Sequence, residues 1–258
     1  MTTAIELSDV SVGLADQEGQ ASLTLAVEPG EFLAVVGPNR SGKSLILKLC
    51  AGLVEPEAGT VRILGLDLAG LDEEALADLR RRVGVVLQQP GLLSNMTVYN
   101  NVALPLRYHR GLKDHELEPL VMEKLDWLGL SALRNRFPAE LNQGEARCAA
   151  IARALVLDPE LLLLDSPTDG LDAAELGALA GFLTEARRAR SLTVLATLHV
   201  FSSLLQITDR VALVRHGRVE SIGRHGEVLA QAAPEMRAYL EAARSPDRDS
   251  LAEMRGVQ

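Results

Sequence analysis

The chain has 258 residues and a formal net charge of −9 at pH 7. That acidic balance argues against a nucleic-acid partner, which needs a basic face. Hydrophobic residues make up 47% of the chain and aromatics only 3%, so aliphatic side chains must fill the core of one large domain, or of a core with a subdomain. Cys50 and Cys148 are the only cysteines, a pattern that points to a reducing compartment and no disulfide framework. The N-terminus has neither a basic start nor an apolar signal core, and no apolar run approaches about 18 residues. The sequence therefore predicts a soluble protein that meets any membrane through a partner.

Ile5 to Val12 and Ala21 to Val27 alternate apolar and polar residues and read as half-buried strands around a polar loop. Glu31 to Val36 reads as a buried strand. It runs into Gly37-Pro38-Asn39-Arg40-Ser41-Gly42-Lys43-Ser44, a match to G-x-x-x-x-G-K-[ST], and Leu45 to Ala51 reads as a helix ending near Gly52. A strand, a tight loop and a helix N-terminus make an anion site, because backbone N–H groups point inward and the helix dipole adds partial positive charge. Lys43 is then expected on the β- and γ-phosphates of a nucleotide, and the Ser44 hydroxyl on Mg²⁺.

Thr60 to Leu64 reads as a short strand. A polar helix is expected from Asp72 to Arg82, acidic at its start and basic at its end as the dipole favours. Val83 to Leu87 reads as a strand running into Gln88. From 90 to 157 strand signals vanish and helical periodicity takes over, which predicts a helical subdomain. Leu161 to Asp165 and Thr193 to Thr197 are apolar runs suited to central parallel strands. Val211 to Val214 and Arg218 to Ile222 read as an edge hairpin around His216-Gly217. The charged tail from Ser245 is expected to fray or dock on a partner. The fold class is thus α/β: a mostly parallel sheet with flanking helices, an N-terminal antiparallel β subdomain and an inserted helical subdomain. Segments 1–89 and 158–225 form the nucleotide-binding core, 90–157 the insertion, and 226–258 a C-terminal helix and tail.

This order of motifs resembles the ATP-binding-cassette (ABC) ATPases over nearly the full length. The resemblance implies a P-loop NTPase that binds ATP and Mg²⁺. It implies that Asp165 is the Walker B aspartate at the sheet's C-terminal edge, holding Mg²⁺ directly or through water. Gln88 resembles the Q-loop glutamine that touches Mg²⁺ or the attacking water, with Gln89 as the register alternative. His199 matches the switch histidine, which contacts the γ-phosphate. Asp172 matches the D-loop aspartate that crosses between two nucleotide domains. Leu141-Asn-Gln-Gly-Glu145 stands in the place of the signature motif, normally L-S-G-G-Q or L-S-G-G-E, with Arg147 following. In the family this motif binds the γ-phosphate held by the other subunit, so Asn142 and Gly144 are expected to face a second cassette. Asn is a good helix cap whose amide can donate to phosphate, whereas the bulk of Gln143 weakens the close approach.

Three departures matter. Ser166 occupies the place of the glutamate that polarises the attacking water, and a serine hydroxyl cannot act as that base. Leu14 lies where an adenine-stacking aromatic is common. Arg40 replaces a frequent glycine of the phosphate loop and either adds a phosphate contact or points to solvent. Leu92 to Leu106 resembles importer-type ATPases, in which this region meets a membrane permease. Glu145-Ala-Arg147 and Pro234 to Leu240 look most like the ATPase of Mla lipid-transport systems, though exporter-type lipoprotein-release ATPases and amino-acid importers share much of the pattern. The resemblance implies a pair of cassettes, identical or paralogous, on permease subunits at the cytoplasmic face of the inner membrane. A hydrolysis-deficient switch that dimerises on ATP is the other reading that Ser166 leaves open.

Overall fold

The computed structural model describes residues 3–11, 22–198 and 203–231. Within them the order is β1 (Ile5–Ser11), β2 (Leu23–Val27), β3 (Phe32–Val36), α1 (Lys43–Cys50), β4 (Ala58–Ile63), β5 (Leu66–Asp67), α2 (Glu73–Arg82) and β6 (Val83–Val86). Then come α3 (Val98–Arg110), α4 (Asp114–Trp127), α5 (Gln143–Leu155), β7 (Leu161–Asp165), α6 (Ala173–Arg190), β8 (Thr193–Leu198), β9 (Arg210–Arg215), β10 (Arg218–Gly223) and α7 (His225–Gln231). No helix among the described residues is long and apolar enough to cross a membrane.

β3, β7 and β8 are mostly aliphatic, and every residue in them is buried. A strand reads this way when both faces of its sheet are covered. The six-stranded sheet has the order β10-β9-β3-β8-β7-β6, parallel except for β10. Side chains alternate between its two faces with the period of the pleat. Phe32, Ala34 and Val36 join one core with Leu162, Leu164 and the apolar faces of α3 to α6. Leu33 and Val35 join the other, with Leu161, Leu163, α1 and the second sheet. That second sheet is antiparallel, in the order β2-β1-β4-β5.

The predicted elements fall close to their sequence positions, with three corrections. The strand expected to reach Leu87 ends at Val86, and Gln88 lies in the loop beyond it. β5 is only two residues long, too short to leave a periodic signal. The hairpin expected at an edge has only β10 there; β9 lies inside the sheet, paired in parallel with β3. The tail from Ser245, like residues 232–244, lies outside the described residues.

The helical stretch between β6 and β7 is held by buried polar contacts as well as by its apolar core. Asn101, fully buried, accepts from Leu93 N–H and donates to the carbonyls of Leu93, Met96 and Thr97, which fixes the loop leading into α3. Lys124 on α4 is 1% exposed; its ammonium donates to Asp158 at 2.8 Å and lies 4.0 Å from the Trp127 ring centre. Arg190, the last residue of α6, pairs with the same Asp158. One carboxylate before β7 therefore links α4 to the end of α6, and Trp127 stacks on Phe182 across the same junction.

The parallel register sets the functional edge. Val36 lies opposite Leu198, Asp165 opposite Thr197, and Val86 opposite Leu164. The C-terminal ends of four strands therefore come out along one side of the sheet, where an open parallel sheet takes its ligands.

Candidate functional site

At this edge β3 hands over to the glycine-rich loop, and the packing behind the loop shows why glycine is needed. A Cβ on Gly37 would lie 2.1 Å from the Val214 carbonyl oxygen, and one on Gly42 would lie 3.2 Å from Gly217 Cα. The turn of the β9–β10 hairpin backs the loop, with Gly217 N–H donating to Ser41 O at 2.9 Å. α1 opens at Gly42, whose φ is 104° and which offers no side-chain cap. The N–H groups of Gly42, Lys43 and Ser44 take no acceptor among the described residues, as at any helix start awaiting an anion. Ser41 Oγ is buried without a hydrogen-bond partner.

Lys43 is 5% exposed and folded back into the loop, donating to Gly37 O at 2.8 Å and Pro38 O at 2.7 Å. Burial lowers its pKa, and the nearby Asp165 carboxylate opposes that shift. Pro38 is half-buried, while Asn39 and Arg40 form the exposed lip. Ser44 Oγ donates to Asp165 Oδ1 at 3.0 Å, which joins the start of α1 to the end of β7.

Asp165 has a second hydroxyl partner. Thr197 Oγ1 donates to Asp165 Oδ1 at 2.5 Å and accepts from Ser166 N–H at 3.0 Å. Ser166 N–H also reaches Thr197 O, and Ser166 itself takes φ 50°. The chain turns sharply here, with Asp169 N–H donating to Ser166 O at 3.2 Å. A left-handed non-glycine residue beside a buried carboxylate is the kind of strain that gathers at functional sites. No side chain among the described residues bonds Ser166 Oγ.

The donor set fits a magnesium nucleotide. Mg²⁺ takes oxygen ligands and favours one or two protein groups together with substrate phosphates and water. Ser44 Oγ and Asp165 Oδ1 are such a pair, and the unpartnered Ser41 hydroxyl and free N–H groups await an anion beside them.

The sequence profile of the ABC transporter family matches residues 21–169, more than half of the chain. The chain belongs to the ABC transporter family. It is 37% identical over 225 residues to the methionine import ATP-binding protein MetN 2 of Paraburkholderia xenovorans, a match that covers 85% of this chain and 58% of that longer protein. It is 31% identical over 244 residues to the probable ribonucleotide transport ATP-binding protein mkl of Mycobacterium leprae, covering 95% of this chain and 70% of the relative. Among solved structures, a dimeric ATP-binding cassette in a post-hydrolysis state bound to ADP and Pi superposes with a TM-score of 0.79 at 29% identity. That match covers 85% of this chain and 98% of the other.

The other residues that the sequence singled out, where described, lie on and around α5. Asn142 caps this helix: its Oδ1 accepts from Glu145 N–H at 2.8 Å, and Glu145 Oε2 accepts from Asn142 N–H at 2.8 Å. The Asn142 acceptor is thus committed to its own helix, and the exposed amide nitrogen remains available. Gly144 is buried against its own chain, where a Cβ would meet Glu175 Oε2 at 2.1 Å and Gly170 O at 2.7 Å. A Cβ on Gly170 would meet Gln143 Cγ at 2.6 Å. The start of α5 therefore packs on the turn after β7, and Gln143 lies over Gly170. Asp172 caps α6, with its side chain accepting from Glu175 N–H at 2.8 Å.

Gln88 is exposed, and its main chain is gripped by α5. Arg147 is 1% exposed; it donates from Nη2 to Gln88 O at 2.8 Å and from Nε to Asp169 O at 2.9 Å, while Nη1 is buried without a partner. Burial lowers the Arg147 pKa, and the carboxylates of Asp169 and Asp165 oppose that shift. Arg153 completes the grip, donating to Pro90 O at 2.9 Å and Gly91 O at 2.8 Å. The sequence marked Arg147 only by its place after the signature motif. It gave no signal for Arg153, and Thr197 was visible only as the last residue of a predicted strand. His199 and Leu14 lie outside the described residues.

Proposed function

We propose that this chain is the ATP-binding subunit of an ABC transporter, binding Mg-ATP at the Lys43, Ser44 and Asp165 cluster and working as one of two cassettes on membrane permease subunits. The observation that carries this reading is the Ser44–Asp165 hydrogen bond beneath a glycine loop with free N–H groups. When nucleotide enters, the loop and α1 amides receive the phosphates, and Lys43 exchanges its two carbonyl partners for phosphate oxygens. Ser44 and Asp165 would hold Mg²⁺, which would supply charge neutralisation at the phosphates. Gln88, held through its carbonyl, presents its side chain to the metal or to water, and His199 serves the γ-phosphate. Lys43→Ala should weaken Mg-ATP binding by about 1–3 kcal/mol, the worth of a charged hydrogen bond at a buried site. Calorimetric titration of both proteins checks this, and equal affinities would sink the assignment.

Pairing of cassettes rests on an N-capped α5 whose outer face, at Asn142, is exposed. Single cysteines at Asn39 and Asn142, both exposed, are expected to cross-link between chains when ATP is present. The native thiols should not compete, because burial pushes the pKa of both Cys50 and Cys148 up to about 12. Intramolecular links alone would count against the paired arrangement.

The cargo follows from the permease rather than from this chain. The relatives described above are named for methionine import and ribonucleotide transport, while the likeness to Mla-type lipid transport rests on the short string Glu145-Ala-Arg147 and on residues 234–240. Lipid transport therefore stands as the finer reading, to be tested by identifying the permease that co-purifies with the chain. Ser166 favours a second mode of action, in which ATP closes the pair as a switch and turnover is slow.

A further inference from the structure

We infer that Arg40 is a second phosphate-binding cation of this site, reaching the bound polyphosphate from the outer lip of the loop while Lys43 serves it from within. The inference rests on the nucleotide-binding reading above. Arg40 has φ 62°, a left-handed conformation that L side chains enter only at a cost. The loop is held against the β9–β10 turn: Ser41 O accepts from Gly217 N–H, and a Cβ on Gly42 would meet Gly217 Cα at 3.2 Å. Glycine would take this conformation freely. An arginine is therefore present despite local backbone preference.

Among the described residues, none uses that arginine. Its side chain is exposed and makes no hydrogen bond, ion pair or ring contact with any described residue. By contrast Arg147, Arg153, Arg187 and Arg210 are each committed to carbonyls or carboxylates. An unpaired guanidinium three residues before Lys43, on a loop with free amides, lies beside the place where a polyanion binds. A magnesium-bound triphosphate remains anionic after Lys43 is counted, and Asp165 adds a further negative charge. A guanidinium forks onto phosphate oxygens with two parallel donors, a geometry lysine cannot reproduce. The contact is blind to the base, so it strengthens binding of any nucleoside polyphosphate.

The test titrates the full chain with Mg-ATP, Mg-ADP and Mg-GTP and compares wild type with Arg40→Gly, Arg40→Gln and Arg40→Lys. Glutamine keeps a side chain and the backbone cost but loses the charge; glycine removes the strain as well. Both are expected to lower ATP and GTP affinity by roughly 5- to 20-fold. Their binding should also depend less steeply on salt, as expected when one charge contact is lost. Arg40→Lys should fall between. Unchanged affinity in Arg40→Gln, or a loss of the same size at low and high salt, would overturn the inference. A wild type that binds no nucleotide would overturn both this inference and the reading beneath it. A wild type that binds, with Lys43→Ala weakened and Arg40→Gln unchanged, overturns this inference alone.

Discussion

Arg147→Met is expected to lower the stability of the fold by about 2–4 kcal/mol and to disconnect α5 from the two loops it holds. The estimate comes from two charged donors withdrawn from the carbonyls of Gln88 and Asp169, each typically worth about 1.5–3 kcal/mol. Against this stands relief of the unpartnered Nη1, whose burial without an acceptor costs energy in the present structure. Methionine fills most of the stem volume, so cavity terms are small. Arg147→Lys should recover only part of the loss, since a single ammonium cannot span two carbonyls on different loops. Urea denaturation measures the stability change. Hydrogen exchange supplies a readout that stability alone would not move. In wild type, ATP should protect residues 88–91 and 166–172 together with the start of α5. In Arg147→Met, protection near Lys43 should persist while that of α5 is lost. Joint protection of all three in the variant would show that Arg147 is only a packing residue.

That coupling was hard to see in the sequence, and the reason is physical. Motifs that follow the chain were legible: the buried strand before Gly37, the glycines of the loop that opens α1, and four leucines ending at Asp165. Each depends on local spacing and on the period of a strand or helix. Arg147 and Arg153 depend on tertiary placement, because their partners are backbone carbonyls at 88, 90, 91 and 169. Carbonyls carry no sequence signature, so no pattern of residue types predicts such a grip. Thr197 is similar: its hydroxyl meets Asp165 only because β7 and β8 are neighbours in register. Gln143 was expected to weaken a contact to a second cassette by its bulk, and the structure places that bulk over Gly170 of the same chain. β9 read as part of an edge hairpin because Val211 to Val214 is a short apolar run. Which strand it pairs with is set by the whole sheet.

Ser166→Glu is expected to raise ATP turnover by roughly 10²–10⁴-fold, the usual contribution of a positioned general base. Hydrolysis needs a water in line with the β–γ bond and a group to take its proton. Ser166 has the position but not the chemistry, because its hydroxyl remains protonated at any working pH. The backbone conformation at 166 does not oppose the exchange. Ser166 N–H is fixed by Thr197 O and Oγ1, and φ 50° is no worse for glutamate than for serine. A new carboxylate would stand next to Asp165, and mutual repulsion raises the pKa of one member of such a pair, which makes it a better base near neutrality. Ser166→Gln has the same length without basicity and should show no gain, which separates chemistry from shape. Phosphate release from the three proteins, with the permease partner included when it is in hand, gives the measurement. Equal slow turnover in Ser166→Glu and wild type would remove Ser166 as the cause. Fast turnover in wild type would mean that another group supplies the base, and Asp169→Asn is then the discriminating variant. Asp169 is three residues along the same turn, with its carbonyl on Arg147. Loss of turnover in that variant would transfer the role to Asp169.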